Sequence, residues 1–332
     1  MLVLLLLSLL GPGVVPDGAF DPGLAVSPAE DRALRSDGAF ARVVASDDPT
    51  EVVTLAATPL RADADRVVAC ALEPGCLSRP VGGSSGRLGA RPVPADLAGL
   101  RFDREEIEAL RGCRVGRCAL RLPPEAIETL RQRVDWSLPS APERAEDALR
   151  ESLAGLAVLY LDRGHAALPP YADGPNGTRV GEGTDELLRR PLPGLDEAPE
   201  LRDYLRTFPS GRPVLSGEAL VWRRERMYRR EVVSLEHVVV VRRDGPRGER
   251  VLVVSKKLYS SHYFEGSLEV AEFARRPGEA EGRIVVTRRS RTDVRPSDFS
   301  WIERLLFRRL VKGRLEAELR ELRARLEGMA RP

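Results

Sequence analysis

Val232-Val233-Ser234-Leu235-Glu236-His237-Val238-Val239-Val240-Val241-Arg242 is the stretch from which the fold is read. At a period of two, one face carries Val233, Leu235, His237, Val239 and Val241, and the other carries Val232, Ser234, Glu236, Val238 and Val240. Two largely apolar faces mark a strand covered on both sides, so it belongs in the middle of a sheet. Asp244-Gly245-Pro246 turns the chain into a second strand, Val251 to Tyr259. Gly266 to Phe273 and Arg283 to Arg289 follow across Pro277-Gly278. Connections this short join antiparallel neighbours.

Outward from this meander, the C-terminal side reads as one long helix from about Asp298 to Met329. Leu315, Leu319, Leu322 and Leu326 recur at four, three and four residues, which makes a single apolar stripe. On the N-terminal side, Phe40 to Ser46 and Glu51 to Ala57 flank Asp47-Asp48-Pro49 and read as a hairpin. Asp63 caps a helix that carries Cys70 and ends at Pro74-Gly75. Gly82 to Pro94 reads as a loop, and about 97–206 reads as a helical insertion opened by Pro123-Pro124 and Pro142. The expected fold is therefore α+β, an antiparallel sheet packed on a long C-terminal helix with a large helical insertion. Residues 39–332 form the domain, 20–38 a flexible lead-in, and 1–19 a signal-peptide-like segment.

The last of these rests on Leu2 to Leu10, an apolar run closed by Gly11-Pro12. It is too short to span a bilayer and has the length of an export-signal core. Four cysteines, close neighbours as Cys70/Cys76 and Cys113/Cys118, agree with an oxidising compartment, and three pairings are open. A four-thiolate zinc site is the competing reading, but neither pair has the two-residue zinc-knuckle spacing. The chain is expected to be exported, in the periplasm or at the cell envelope, without metal or cofactor.

Among 332 residues 42% are hydrophobic and 31% charged, a composition that excludes a disordered tail protein. Lysine occurs only at 256, 257 and 312, so a phosphate loop ending in Gly-Lys-Ser/Thr is absent. The net charge of +2 conceals −6 over 143–203 and +7 over 283–332. This polarity predicts an internal acid–base interface or a basic end that faces an anionic membrane. For the second, Trp301, Leu305, Arg308 and Arg309 are the candidate contacts. Nucleic acid is the poorer partner for an exported chain.

Gly82-Gly83-Ser84-Ser85-Gly86 matches the nucleophile-elbow pattern, but without the strand and helix that the elbow requires. The densest polar-aromatic segment runs from Ser255 to Gly266. It supplies Tyr259, Ser261, His262, Tyr263 and Phe264 as candidate ligand contacts, with Arg289 and Arg291 beside them. His237 reads as a hydrogen-bonded core residue or as a polar group that orients a ligand in an apolar cavity. No catalytic residue is assigned. A hydrolase using His262 or His237 stands as an alternative, although Ser261 and His262, being adjacent, point to opposite faces of a strand.

Cys113-Arg114-Val115-Gly116-Arg117-Cys118, Gly164-His165-Ala166-Ala167-Leu168, Val233 to Val238, Leu258 to Leu268 and Arg289-Ser290-Arg291-Thr292-Asp293 together resemble a family of uncharacterised bacterial secreted proteins over roughly 39–330. That resemblance implies no activity. The order hairpin, helix, antiparallel strands and final helix also resembles the START-like, or polyketide-cyclase-like, helix-grip fold. This resemblance implies a hydrophobic small molecule or lipid held between the sheet and the last helix. A non-catalytic binding protein is the leading expectation.

Overall fold

A computed structural model describes residues 27–77, 83–174, 177–227, 230–246, 248–293 and 301–328, with the side chains of Asp31 and of 301–307 left outside. The signal-like segment falls outside these residues. Part of the expected lead-in does not: Pro28–Asp37 is a helix, α1. Ser27 and Glu30 cap each other's backbone N–H groups, Pro28 opens the first turn, and Gly38 closes the helix at φ 70°. Within the described part, Ser27-Pro28 and Asp37-Gly38, loop-forming by composition, are the two ends of this helix.

The hairpin forms as β1 (Phe40–Val44) and β2 (Glu51–Leu60). Helix α2 (Ala64–Leu72) follows, and the Asp63 side chain accepts the Arg66 N–H at 2.8 Å. The expected loop at 82–94 contains a short strand, β3 (Ser84–Arg87). Gly86 of this strand lies flat on Trp222, whose ring a Cβ would strike at 2.5 Å.

The insertion folds as α3 (Arg104–Ala109), α4 (Pro124–Arg133), α5 (Ala141–Arg163), α6 (Val180–Arg189) and α7 (Pro199–Thr207). The meander is β4 (Gly217–Met227), β5 (Arg230–Gly245), β6 (Gly248–Ser260), β7 (Phe264–Arg275) and β8 (Gly282–Thr292). Helix α8 spans Trp301–Gly328.

All eight strands form one antiparallel sheet in the order β1-β2-β8-β7-β6-β5-β4-β3. The first hairpin thus sits beside the last strand, and β5 lies inside the sheet as its two apolar faces require. One face meets α8 and α2: Leu315, Leu319, Leu322 and Leu326 are buried with Val238, Val240, Val253, Phe273 and Ile284. The other meets the insertion, where Leu153, Leu187 and Leu201 bury Val239, Val254 and Val270. Each aliphatic side chain so buried contributes about 1.5–3 kcal/mol. Helix α1 covers the hairpin on this second face, through Leu34 on Phe40, Leu55 and Ala57.

Both cysteine pairs are disulfides, Cys70–Cys76 and Cys113–Cys118, in agreement with an exported protein. Among the described residues no cysteine is free and no helix is long and apolar enough to cross a membrane. Each bridge closes a short loop, for which loss of a crosslink is expected to lower stability by about 2 kcal/mol. Urea unfolding of a Cys113→Ala/Cys118→Ala variant checks this, and an unchanged midpoint would refute it.

Candidate functional site

The α8 face of the sheet is not apolar throughout. Beyond the leucine stripe, strands β4 to β8 present a small open groove lined by Arg223, Glu225, Met227, Glu236, Ser255, Lys257, Phe264, Ser267, Glu269 and Arg288. Its centre is Glu236, which is buried. Oε1 of Glu236 accepts from Lys257 Nζ at 2.9 Å and from Ser234 Oγ at 3.1 Å. Oε2 accepts from Ser255 Oγ at 2.8 Å, and Arg223 Nε lies 3.1 Å away. Burial alone would raise this carboxyl's pKa, but Arg223 and Lys257 outweigh it and hold the group well below the usual carboxylate range. Lys257 Nζ also lies 5.2 Å from the centre of the Phe264 ring.

The rim ties sheet to helix. Arg288 pairs with Glu269 across β8 and β7. Arg314 of α8 bonds Glu225 at 2.8 Å, Glu318 at 2.8 Å and the Arg226 carbonyl at 3.1 Å. Every carboxylate of the lining therefore has a cation. Among the expected site residues, only Phe264 reaches this groove.

The others lie elsewhere, for reasons set by strand parity. His237 is one residue from Glu236 and so faces the helical insertion, not α8. There its two ring nitrogens are both engaged: Tyr160 Oη is 2.6 Å from Nδ1 and Glu218 Oε1 is 2.7 Å from Nε2. Tyr204 donates to the same Glu218 oxygen at 2.5 Å, and Arg212 pairs with the other. Burial pushes the His237 pKa down to about 4, against the pull of Glu218 and with the help of Lys256. The neutral imidazole then donates from Nε2 and accepts the Tyr160 hydroxyl at Nδ1. Of the two sequence readings, the hydrogen-bonded core residue is the one the geometry gives.

Lys256, directly across from His237 on β6, is fully buried. Its ammonium donates to the Leu205 carbonyl at 2.7 Å and lies 4.8 Å from the centre of the Tyr160 ring. Burial lowers its pKa to about 7, with Asp185 and Glu218 opposing. A bulge opposite Leu235/Glu236 leaves Leu258 without a strand partner, so Leu258 and Tyr259 both enter the insertion-side core. The Ser261 hydroxyl accepts the Val233 N–H at 3.0 Å. His262 Nε2 is 2.6 Å from Glu106 of α3, and its carbonyl accepts the Ser260 hydroxyl. The imidazole is oriented by a carboxylate, while the neighbouring serine hydroxyls are spent on backbone. Tyr263 holds φ at 64° in the turn between β6 and β7.

Arg289 and Arg291, expected as ligand contacts, lie outside the groove and in ion pairs. Arg289 bonds Glu51 at 2.5 Å, and Arg291 meets Asp48 and Glu186. Arg291 on Glu186, Arg250 on Glu197 and Arg243 on Glu200 form the acid–base interface between the acidic insertion and the strands, whereas Arg289–Glu51 is a pair within the sheet. The side chains of Trp301 and Leu305 lie outside the described residues, while those of Arg308 and Arg309 are exposed. Ser84 sits in an edge strand, not at an elbow. No group of side chains among the described residues is arranged to hold a metal ion. Neither a family model, nor a curated protein, nor a solved structure matches the chain.

Proposed function

We propose that the chain is an exported, non-catalytic binding protein whose ligand seat is the groove on the α8-facing side of the sheet. The observation that carries this reading is the place and lining of the groove: it opens where the sheet is tied to the last helix, and paired charges line it beside Phe264 and Met227. A wholly apolar ligand would strand those charges away from water at a cost of several kcal/mol. The ligand that fits is an amphiphile such as a lipid, its polar head of both signs meeting Arg223, Lys257 and Arg288 on one side and Glu225 and Glu269 on the other. Its acyl part would lie toward Phe264 and Met227.

Native mass spectrometry of protein taken from its own envelope tests this, with Met227→Trp as the variant because it fills the groove without removing an ion pair. The wild type is expected to carry a lipid adduct and the variant to lose it at unchanged Tm. An adduct-free wild type that also fails to bind lysophosphatidylcholine, or a variant that binds as well as wild type, overturns the reading.

A further inference from the structure

Five large aliphatic side chains stand exposed among the described residues: Val93, Val115, Leu138, Val214 and Leu310. Two of them, Val115 at 53% and Leu310 at 71%, are flanked by exposed arginines. Val115 is at the tip of the turn closed by Cys113–Cys118, between Arg114 and Arg117 and close in sequence to Arg111. The turn is rigid: the Arg114 N–H bonds the Arg117 carbonyl at 2.9 Å, and the Gly116 N–H bonds the Ala172 carbonyl at 2.7 Å. Leu310 follows Arg308 and Arg309 near the start of α8, before the buried stripe begins. None of these five arginines has a carboxylate partner among the described residues, whereas the arginines of β8 and of the insertion interface are paired.

Both features sit at one end of the sheet. Just past the turn, the Arg121 N–H bonds the Ser261 carbonyl and its guanidinium bonds Asp293, at the ends of β6 and β8. Helix α8 runs from this same end, where Arg314 holds the Arg226 carbonyl, to the opposite end, where Glu327 accepts the Arg61 N–H. Residues 308–310 precede Arg314 and so lie toward or beyond this end. One feature is on each face of the sheet.

We propose that this end of the molecule docks on an anionic bilayer, with Val115 and Leu310 entering the headgroup region and Arg111, Arg114, Arg117, Arg308 and Arg309 meeting lipid phosphates. An isolated aliphatic tip between long cationic stems is the pattern an interface selects, because arginine lays its apolar stem along the acyl boundary and keeps its head among phosphates. An acidic protein partner would satisfy the arginines but leave single aliphatic tips on two different elements without a pocket. The proposal does not depend on what occupies the groove.

Co-sedimentation of the full disulfide-bonded chain with mixed phosphatidylglycerol/phosphatidylcholine vesicles tests it. Wild type is expected to bind these vesicles, to release at high salt, and to ignore pure phosphatidylcholine. Each arginine lost should weaken binding about fivefold, so Arg114→Glu/Arg117→Glu/Arg308→Glu/Arg309→Glu should weaken it by more than about a hundredfold. Val115→Ser/Leu310→Ser should weaken it several-fold with the charge intact. All six side chains are exposed, so an unchanged Tm is the control for folding. Equal binding to both vesicle types, a quadruple variant that binds like wild type, or soluble polyglutamate bound as tightly as vesicles with the serine variant unaffected would each overturn the proposal.

Discussion

Replacing Lys256 by methionine is expected to stabilise the protein at pH 7 by roughly 2–4 kcal/mol. The ammonium is fully buried and its one described hydrogen bond is to the Leu205 carbonyl, so most of its hydration is lost without an ion-pair partner in contact. Methionine keeps the length and the packing against Tyr160 and Phe208 but forfeits that bond, worth about 1 kcal/mol, and the ammonium's attraction to the two ring faces. The pH dependence separates this cause from better packing. The Lys256 pKa falls from 10.5 to about 7 on folding. Between these values the unfolded chain holds a proton that the folded one has released, so stability rises with pH. The slope is about 1.4 kcal/mol per unit, or roughly 2–3 kcal/mol from pH 7 to 9. Below the folded value the contribution is fully lost. Urea unfolding at both pH values should show the rise in wild type and its absence in Lys256→Met. Destabilisation by methionine at pH 7 would mean that the Leu205 bond and the aromatic faces outweigh desolvation.

Lys256 and its neighbour also show where sequence reading succeeds and where it stops. Period alone gives β5 two covered faces, the leucine stripe gives α8 its buried side, and Asp63 gives α2 its start. Each is a local signal whose physics is complete within a dozen residues. The same parity puts Lys256 and Lys257 on opposite faces and separates His237 from Glu236. What parity cannot supply is which face the last helix covers, because that depends on how residues 73–216 fold between α2 and β4. Parity therefore leaves His237 open between a core role and a ligand role. The groove is illegible for a second reason: Arg223, Glu236 and Lys257 come together through cross-strand register, and the bulge at Leu258 shifts that register by one residue. One signal was available. Ser234, Glu236, Ser255 and Lys257 interrupt valine-rich strands on a single face, and buried charges of opposite sign on neighbouring strands have to find each other. Of the two charge counts, the acidic insertion and β8 do meet, through Arg291 on Glu186, while Arg243 and Arg250 of β5 and β6 lie outside the counted basic end and Arg308 and Arg309 keep positive charge exposed.

Removing Glu236 should have the opposite effect to removing Lys256, although both are buried charges on adjacent strands. Glu236→Leu is expected to lower stability by about 3–5 kcal/mol, because it leaves Lys257 and Arg223 beside each other without their common anion. It also strips the acceptor from the Ser234 and Ser255 hydroxyls. The triple variant Arg223→Leu/Glu236→Leu/Lys257→Met should recover most of the loss, since no charge is then left unpaired. Glutamine at 236 separates charge from hydrogen bonding, as its carbonyl still accepts from a serine but no longer neutralises the cations. The pH signature follows from the direction of the shift. The Glu236 carboxyl is held below its ordinary range in the folded state, so its contribution is present above the unfolded value of about 4.3 and is lost as pH falls below it. Guanidinium unfolding at pH 7 and near pH 3 should show that acid loss in wild type and a smaller one in Glu236→Leu. Losing the Glu236 charge has a functional consequence as well. A groove that accepts a head of both signs becomes a groove with net positive charge, so Glu236→Gln should shift selectivity from lysophosphatidylcholine toward lysophosphatidylglycerol. Unchanged selectivity would mean that the ligand head does not reach Lys257 and Arg223.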